Sequence, residues 1–164
     1  EDTLSLHDAL PICFYWHFND HADLVSSLIE RWRKREVELD RALQLDATED
    51  PKADLEHLLE AALAHAGADL ENMRFELALR GLGRRDPVVA KMLVEVDAAR
   101  MTLFEDKFLR LTGDPKTAEE LAVLFYLAIV GSYQALSRPT SPPQAKDYLK
   151  GIITDYLIRR QVKT

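Results

Sequence analysis

The apolar residues of this chain recur at intervals of three and four, the spacing that places them on one face of an α-helix. The clearest stripe comprises Leu55, Leu58, Leu59, Ala62, Leu63 and Ala66. A shorter stripe comprises Leu24, Leu28 and Trp32. No stretch alternates apolar and polar residues as a half-buried strand does. The pattern predicts an all-α fold with helices over about 20–46, 51–66, 69–82, 86–112, 115–137 and 142–161.

Aspartate, proline and glycine mark the boundaries of these helices. Asp-Pro pairs occur at 50–51, 86–87 and 114–115. Each pair predicts a helix start, because the aspartate can accept a hydrogen bond from the first turn and proline has no N–H to leave unpaired there. Ser141 and Gln144 have the spacing of a capping box at the start of the last helix. Helix ends are predicted at Gly67 and Gly113.

Composition and charge limit the possible functions. The chain has 164 residues, 47% of them hydrophobic and 30% charged, which is enough for a sizeable core. Its formal net charge is −7, and its first 30 residues contain no Lys or Arg. Because affinity for nucleic acid comes largely from basic side chains that contact phosphates, this charge disfavours DNA binding by the chain as a whole. The one basic run, residues 31–35, is interrupted by Trp32 and is interpreted as a solvated helix face.

Features of the sequence also predict the compartment. Residues 1–12 are too acidic and too weakly apolar for a secretory signal, and the longest apolar run, 121–130, is shorter than a membrane span. The single cysteine, Cys13, cannot form an internal disulfide, which is typical of a reducing compartment. We therefore expect a cytoplasmic protein that does not contact a membrane.

An aromatic cluster near the beginning of the chain is its most distinctive motif. It reads Cys13-Phe14-Tyr15-Trp16-His17-Phe18 and runs directly into an acidic helix start, Asn19-Asp20-His21-Ala22-Asp23. Taken alone, the cluster fits either a helix end that contacts a DNA backbone or the core of an all-helical domain. It resembles the end of the recognition helix in transcriptional regulators of the TetR/AcrR family, where a Tyr-x-His-Phe element closes a helix-turn-helix. The resemblance extends to about residue 161 and includes the stretches 81–89 and 96–100.

This resemblance implies a TetR-type C-terminal regulatory helical bundle with the remnant of an N-terminal helix-turn-helix. Residues 1–19 then comprise a non-native or divergent N-terminus and the end of the recognition helix, while residues 20–164 form the ligand-binding and dimerisation domain. Contacts with DNA phosphates are expected from Tyr15, Trp16, His17 and His21. His21 stands where the family usually has lysine, and because histidine is mostly neutral at about pH 7, its contact should be weaker.

The implied function is that of a ligand-responsive, DNA-binding transcriptional regulator, a repressor. A small molecule would favour one orientation of the helix over 20–46 and so change the separation of two DNA-reading heads. Only twelve residues precede Cys13, so we expect most of the helix-turn-helix to be missing and this fragment not to bind operator DNA specifically. The alternative is an all-helical dimeric interaction module with no DNA-binding role.

The helix over 115–137 predicts a further contact surface. Its segment 121–130 is apolar on every face, so one side can cover its own domain while another side needs a second surface. A second copy of the chain provides such a surface, and burial of the whole helix in a monomer is the alternative. The resemblance implies a homodimer whose four-helix bundle uses the last two helices of each chain. The expected interface residues are Leu121, Leu124, Phe125, Ala128, Ser132, Leu149, Ile152, Ile153 and Tyr156.

An effector pocket is implied among the middle helices. The bulky apolar side chains expected to line it are Trp32, Leu59, Phe75, Met101, Phe104 and Phe125. They predict a small apolar or aromatic effector. Each of them also fits plain core packing.

Candidate catalytic and metal-binding residues are few. His17 and His21 have a spacing that can hold a metal, but the glutamate of a zinc hydrolase motif is missing. His57 and Glu60 run opposite to the Glu-x-x-His order of di-iron bundles. The sequence contains no glycine-rich phosphate loop and no nucleophile elbow. We therefore predict no catalytic activity, no metal and no cofactor.

Overall fold

The computed structural model describes residues 19–68, 70–136 and 144–161, except for the side chains of 21, 64–68, 70–73 and 136. These residues form no strand and six α-helices, which are α1 (His21–Leu45), α2 (Pro51–Ala68), α3 (Leu70–Leu82), α4 (Pro87–Thr112), α5 (Pro115–Leu136) and α6 (Ala145–Ile152). A π-helical turn (Ile153–Ile158) and a 3-10 turn (Arg159–Gln161) follow α6 directly. The prediction of an all-α fold is confirmed for this part of the chain.

The chain divides into two compact units, residues 1–36 and 37–164. In the first unit the described residues are chiefly the beginning of α1. The Asp20 carboxylate accepts a hydrogen bond from the Asp23 N–H at 2.8 Å, which caps this helix. Further along the same helix, Glu30 and Arg33 form an ion pair at 2.8 Å. Helices α2 to α6 all lie in the second unit.

Helices α2, α4 and α5 each begin at a proline that follows an aspartate. The Asp86 carboxylate accepts hydrogen bonds from the N–H groups of Val88 and Val89 at 2.8 and 3.2 Å. The carboxylates of Asp50 and Asp114 each accept a hydrogen bond from a first-turn N–H, at 3.0 and 2.9 Å. These contacts satisfy N–H groups that have no partner inside the helix. All three predicted helix starts are confirmed.

The helix ends depart from the predictions in two places. Gly113 ends α4 in the left-handed conformation with φ of 69°, as predicted, but α2 continues through Gly67 to Ala68. The last helix, predicted as α-helix over 142–161, changes to π-helix at Ile153. Ile153 and Ile158 are five residues apart and both buried, and the i→i+5 repeat of a π-helix brings such residues towards one face. The proposed capping serine, Ser141, lies outside the described residues.

The hydrophobic core of the second unit is built by α2, α4, α5 and the π-helical turn. Its buried side chains are Leu55, Leu58, Leu59, Leu63, Leu103, Phe104, Phe108, Ala118, Leu121, Ala122, Phe125, Ile129, Tyr133, Ile153 and Ile158. At its centre the Phe125 ring meets the edges of Phe104 and Phe108, with ring centroids 4.9 and 5.8 Å apart. Such edge-to-face pairs add to the free energy gained from burial alone. The stripe predicted on α2 is confirmed at its four leucines.

Helix α5 is buried on one side only. Ala122, Phe125 and Ile129 belong to the core, whereas Leu124 and Leu127 are exposed. Within the described residues, no helix is both long and apolar enough to span a lipid bilayer. Leu124 and Leu127 give the second unit an exposed apolar surface on α5.

The left-handed residue Gly113 gives a test of the fold. Gly113→Ala should lower the free energy of unfolding by about 1–2 kcal/mol, because a β-carbon disfavours positive φ. The matched control is Gly81→Ala in α3, where an added Cβ would meet no atom within 4 Å, and where alanine should be neutral or stabilising by up to about 1 kcal/mol. Denaturant unfolding of both variants measures the difference. Equal destabilisation by the two substitutions would contradict this account of the α4 end.

Candidate functional site

An ion network connects α3 and α4. The Arg100 guanidinium on α4 donates to both oxygens of the buried Glu76 carboxylate on α3, at 2.9 and 3.0 Å. Arg80 on α3 donates to the same carboxylate at 2.8 Å and to both oxygens of Asp97 at 2.7 and 3.0 Å. Tyr126 on α5 lies close enough to Asp97 and Arg80 for both to influence the pKa of its hydroxyl. Paired guanidinium–carboxylate contacts of this kind are directional, so the network favours one orientation of α3 relative to α4.

Electrostatics within the network favour the charged carboxylate and guanidinium. Burial alone would raise the pKa of Glu76, but hydrogen bonds and charges from Arg100 and Arg80 hold it below its ordinary value of 4.5. Burial would likewise lower the pKa of Arg80. Hydrogen bonds and charges from Asp97 and Glu76 outweigh burial and raise the pKa above its ordinary value. Burial, with a contribution from Asp97, raises the pKa of Tyr126 to about 12. At neutral pH the tyrosine hydroxyl is therefore protonated and uncharged.

A second buried ion pair connects α2 to α4. Lys107 Nζ lies 2.8 Å from an Asp54 oxygen, and both side chains are almost fully buried. Arg110 donates to the other Asp54 oxygen at 2.6 Å and to the Thr48 carbonyl oxygen at 2.6 Å. A buried charge is tolerated only when it is paired and hydrogen-bonded. Asp54 meets that requirement with two cations.

An open depression lies beside the first network, at the corner between α3 and α4. It has a volume of about 380 Å³ and is lined by Arg80, Gly83, Arg84, Ala90 and Leu93. Gly83 lies close to α4, since a Cβ added there would be 2.8 Å from Leu93 Cδ1. The depression therefore combines a short apolar floor with arginine side chains.

The structure describes little of the predicted DNA-binding residues. Tyr15, Trp16 and His17 lie outside the described residues. His21 is the first residue of α1, and its side chain is also outside them. The proposed phosphate contacts therefore stay predictions.

The residues predicted to line an effector pocket are only partly brought together. Leu59, Phe104 and Phe125 lie in one core cluster, and Met101 packs against it. Phe75, on α3, is half-buried. The sixth predicted residue, on α1 at position 32, belongs to the first unit. Direct contact between the Phe104 and Phe125 rings shows that these two side chains serve as core, and their role towards an effector stays a prediction.

The residues predicted for the dimer interface fall into two groups. Leu121, Phe125, Ser132 and Ile153 are buried within the chain itself. Ala128 and Leu149 are half-buried against the core. The exposed members are Leu124, Ile152 and Tyr156. Only this last group offers most of its side chain to another molecule.

Histidine and acidic residues form no metal site in the part of the chain that the structure describes. There, no three His, Cys, Asp or Glu side chains lie together as a metal site would require. His57 is half exposed, with Nε2 3.7 Å from an Asp46 oxygen. Glu60 is paired instead with Lys150 at 2.5 Å. The two residues therefore have different ion-pair partners.

No family model, no curated protein and no solved structure matches this chain. The sequence motifs and the geometry of the second unit are therefore the two sources for a functional proposal. Among the residues that matter to that geometry, the members of the ion network were not predicted as a site. The available signal was the helical spacing of opposite charges, at i, i+4 for Glu76 and Arg80 and at i, i+3 for Asp97 and Arg100.

Glu76→Gln tests the role of the network in stability. The substitution removes the carboxylate that pairs with Arg80 and Arg100, and breaking a buried pair in this way should cost about 3–5 kcal/mol of unfolding free energy. Glu95→Gln on the exposed face of α4 is the control and should change stability by less than about 0.5 kcal/mol. Denaturant unfolding at neutral pH gives both values.

The stability effect of Glu76→Gln should also depend on pH. The pKa of Glu76 is lower in the folded chain than its ordinary value of 4.5, so its contribution to stability is complete above that value and is lost as pH falls through the folded pKa. The stability difference between the unsubstituted chain and Glu76→Gln should therefore shrink in acid. A difference that stays constant with falling pH would show that the charge of Glu76 is not what stabilises the network.

Proposed function

We propose that this chain is the ligand-binding and dimerisation part of a DNA-binding transcriptional regulator of the TetR type, acting in the cytoplasm. The observation that carries the proposal is an apolar surface on the last two helices. Leu124 and Leu127 on α5 are 53% and 59% exposed, and Ile152 and Tyr156 at the C-terminal end are 57% and 52% exposed. The number and order of helices α1 to α6 match the pattern on which the sequence resemblance rests, although the last of them changes to π-helix at Ile153. A regulator of this type needs such a surface for its two-fold partner.

A second copy of the chain is the proposed occupant of this surface. Exposed leucines one turn apart on α5 lie on one stripe with Gly131, where an added Cβ would meet no atom within 4 Å. A glycine on such a stripe permits two helices to approach closely. Two helices from each chain would then pack as a four-helix bundle, which is a self-complementary arrangement suited to a symmetric dimer.

The proposed effector is a small apolar or aromatic molecule held near the core residues of α2 and α4. Leu59 belongs to the same core cluster as Phe104 and Phe125, and Met101 packs against that cluster. Aromatic and aliphatic side chains form the walls of most small-molecule sites. Regulation would be two-state, with the effector binding one orientation of α1 more tightly than the other. The effector can change DNA affinity only if it binds the two orientations with different affinities, and the size of that difference limits the size of the change.

The competing proposal is an all-helical dimeric interaction module that does not bind DNA. The same apolar surface on α5 supports it, because dimerisation does not require a DNA-reading head. The two proposals differ in what the gene encodes before the aromatic cluster at 13–18. They agree on the dimer, so a test of assembly and a test of DNA binding answer separate questions.

The dimer is tested by Leu127→Asp. Because Leu127 is exposed in the single chain, the variant should fold, but burying an unpaired carboxylate in the interface should cost several kcal/mol and dissociate the dimer. Val94→Asp is the matched control, since Val94 is 66% exposed on α4. Light scattering at micromolar concentration should report a dimer for the unsubstituted chain and for Val94→Asp, and a monomer for Leu127→Asp. A monomeric unsubstituted chain would refute the proposed interface.

The DNA-binding role is tested at the gene. Genomic sequence upstream of the Cys13 codon should encode, in frame, a basic helix-turn-helix. The protein with that segment included should bind its operator with an affinity that falls steeply as salt rises. In that protein Tyr15→Ala should weaken binding with little change in sequence preference, because phosphate contacts position without specifying. A start codon near residue 1 would instead favour the interaction module.

A further inference from the structure

The corner between α3 and α4 carries a local positive charge that contrasts with the charge of the whole chain. The net charge of the chain is −7, yet residues 80–91 contain four basic side chains and one acidic side chain. That acidic side chain, Asp86, is occupied in capping α4 through the N–H groups of Val88 and Val89. Arg84, Arg85 and Lys91 are all exposed. An anion approaching this corner therefore meets a positive field.

The depression at the corner is open to solvent and has room for a small ligand. Its volume of about 380 Å³ is near the lower end of the range of about 300–1,000 Å³ usual for small-molecule sites. Its floor is apolar and consists of Ala90 and Leu93, with Gly83 contributing no side chain. A ligand could rest a short apolar group on this floor while an attached charge reaches the rim.

The two arginines at the rim have different roles. Arg80 is held in place by Glu76 and Asp97 through four hydrogen bonds of 2.7 to 3.0 Å, so its charge is already neutralised. Arg84 forms no hydrogen bond or ion pair with the other residues that the structure describes. Its guanidinium donors are thus available for a ligand, and a guanidinium matches the two oxygens of a carboxylate in a paired geometry.

We propose that this depression binds a small organic carboxylate, with the carboxylate on Arg84 and the apolar part on Ala90 and Leu93. The site differs from the effector pocket proposed in the core, and it does not depend on the chain being a transcriptional regulator. Arg80 forms a fixed wall of the site and does not take part as a donor. Because the depression is open to solvent, the affinity is expected to be modest.

Benzoate is the probe, since it joins a carboxylate to a compact apolar ring. Titration of the full 164-residue chain, followed by calorimetry or by NMR shifts of residues at the corner, should show saturable binding. Arg84→Gln should weaken benzoate binding by about tenfold or more, because a paired charge-assisted contact is lost. Arg85→Gln is the matched control, because Arg85 is an exposed neighbour that does not line the depression, and should change affinity by less than about threefold.

Two further ligands test separately the contribution of the carboxylate and that of the apolar ring. Benzamide has the same ring without the charge and should bind at least about tenfold more weakly than benzoate. Inorganic phosphate has the charge without the ring and should also bind more weakly than benzoate. Thermal unfolding checks that both arginine variants remain folded, as expected for exposed side chains without partners among the described residues.

Several results would overturn the proposal. Equal affinity for benzamide and benzoate would show that the carboxylate is not recognised. Phosphate binding as tight as benzoate would show that the apolar floor contributes nothing. Equal losses of benzoate affinity in Arg84→Gln and Arg85→Gln would show that benzoate responds to a diffuse positive field and not to Arg84. Absence of saturable binding at millimolar benzoate would show that the site does not exist. None of these results bears on the dimer or on DNA binding, so the regulator proposal is tested separately.

Discussion

The arrangement of the second unit depends on two cations buried on one face of α4. Arg100 and Lys107 are seven residues apart, which is close to two helical turns, so they lie on the same side of the helix. A buried cation must be paired, because an isolated charge in a protein interior is very unfavourable. Arg100 finds Glu76 on α3, and Lys107 finds Asp54 on α2. Neither α2 nor α3 can slide along α4 without breaking one of these pairs. The same arrangement of helices must therefore satisfy both the two pairs and the hydrophobic core.

Several features that depend on local interactions were predicted correctly from the sequence. A helix start at an Asp-Pro pair needs only the side chain of the aspartate and the next few N–H groups, so all three were predicted correctly. The C-terminal glycine of α4 is likewise a property of one residue, whose positive φ is unfavourable for any side chain with a Cβ. The π-helical turn at Ile153–Ile158 was not predictable in this way. Ile153 and Ile158 are buried in a core that includes residues of α2 and α5. These residues are distant in sequence, so local sequence signals do not predict the turn.

Candidate site residues were harder to predict than helices, because their partners are distant in sequence. Asp54 and Lys107 are 53 positions apart, and no spacing rule connects them. The residues predicted to line a pocket were chosen because they are bulky and apolar. Core residues have the same properties, and Phe104 and Phe125 belong to the core. On α5, periodicity could not say which side faces outward, since the segment is apolar all round. The structure decides this by placing Phe125 against two aromatic rings of α4, which leaves Leu124 and Leu127 on the opposite side.

The ion network also determines what its surroundings can do. Glu76 and Asp97 carry two negative charges and Arg80 and Arg100 carry two positive charges, so these four side chains together are neutral and contribute little field beyond their own contacts. The positive field at the α3–α4 corner therefore comes from the residues beyond the network, of which Arg84 lines the depression. Beside the network, the Tyr126 hydroxyl on α5 stays protonated because burial and Asp97 raise its pKa to about 12. Tyr126 is therefore uncharged at neutral pH and adds nothing to the positive field at the corner.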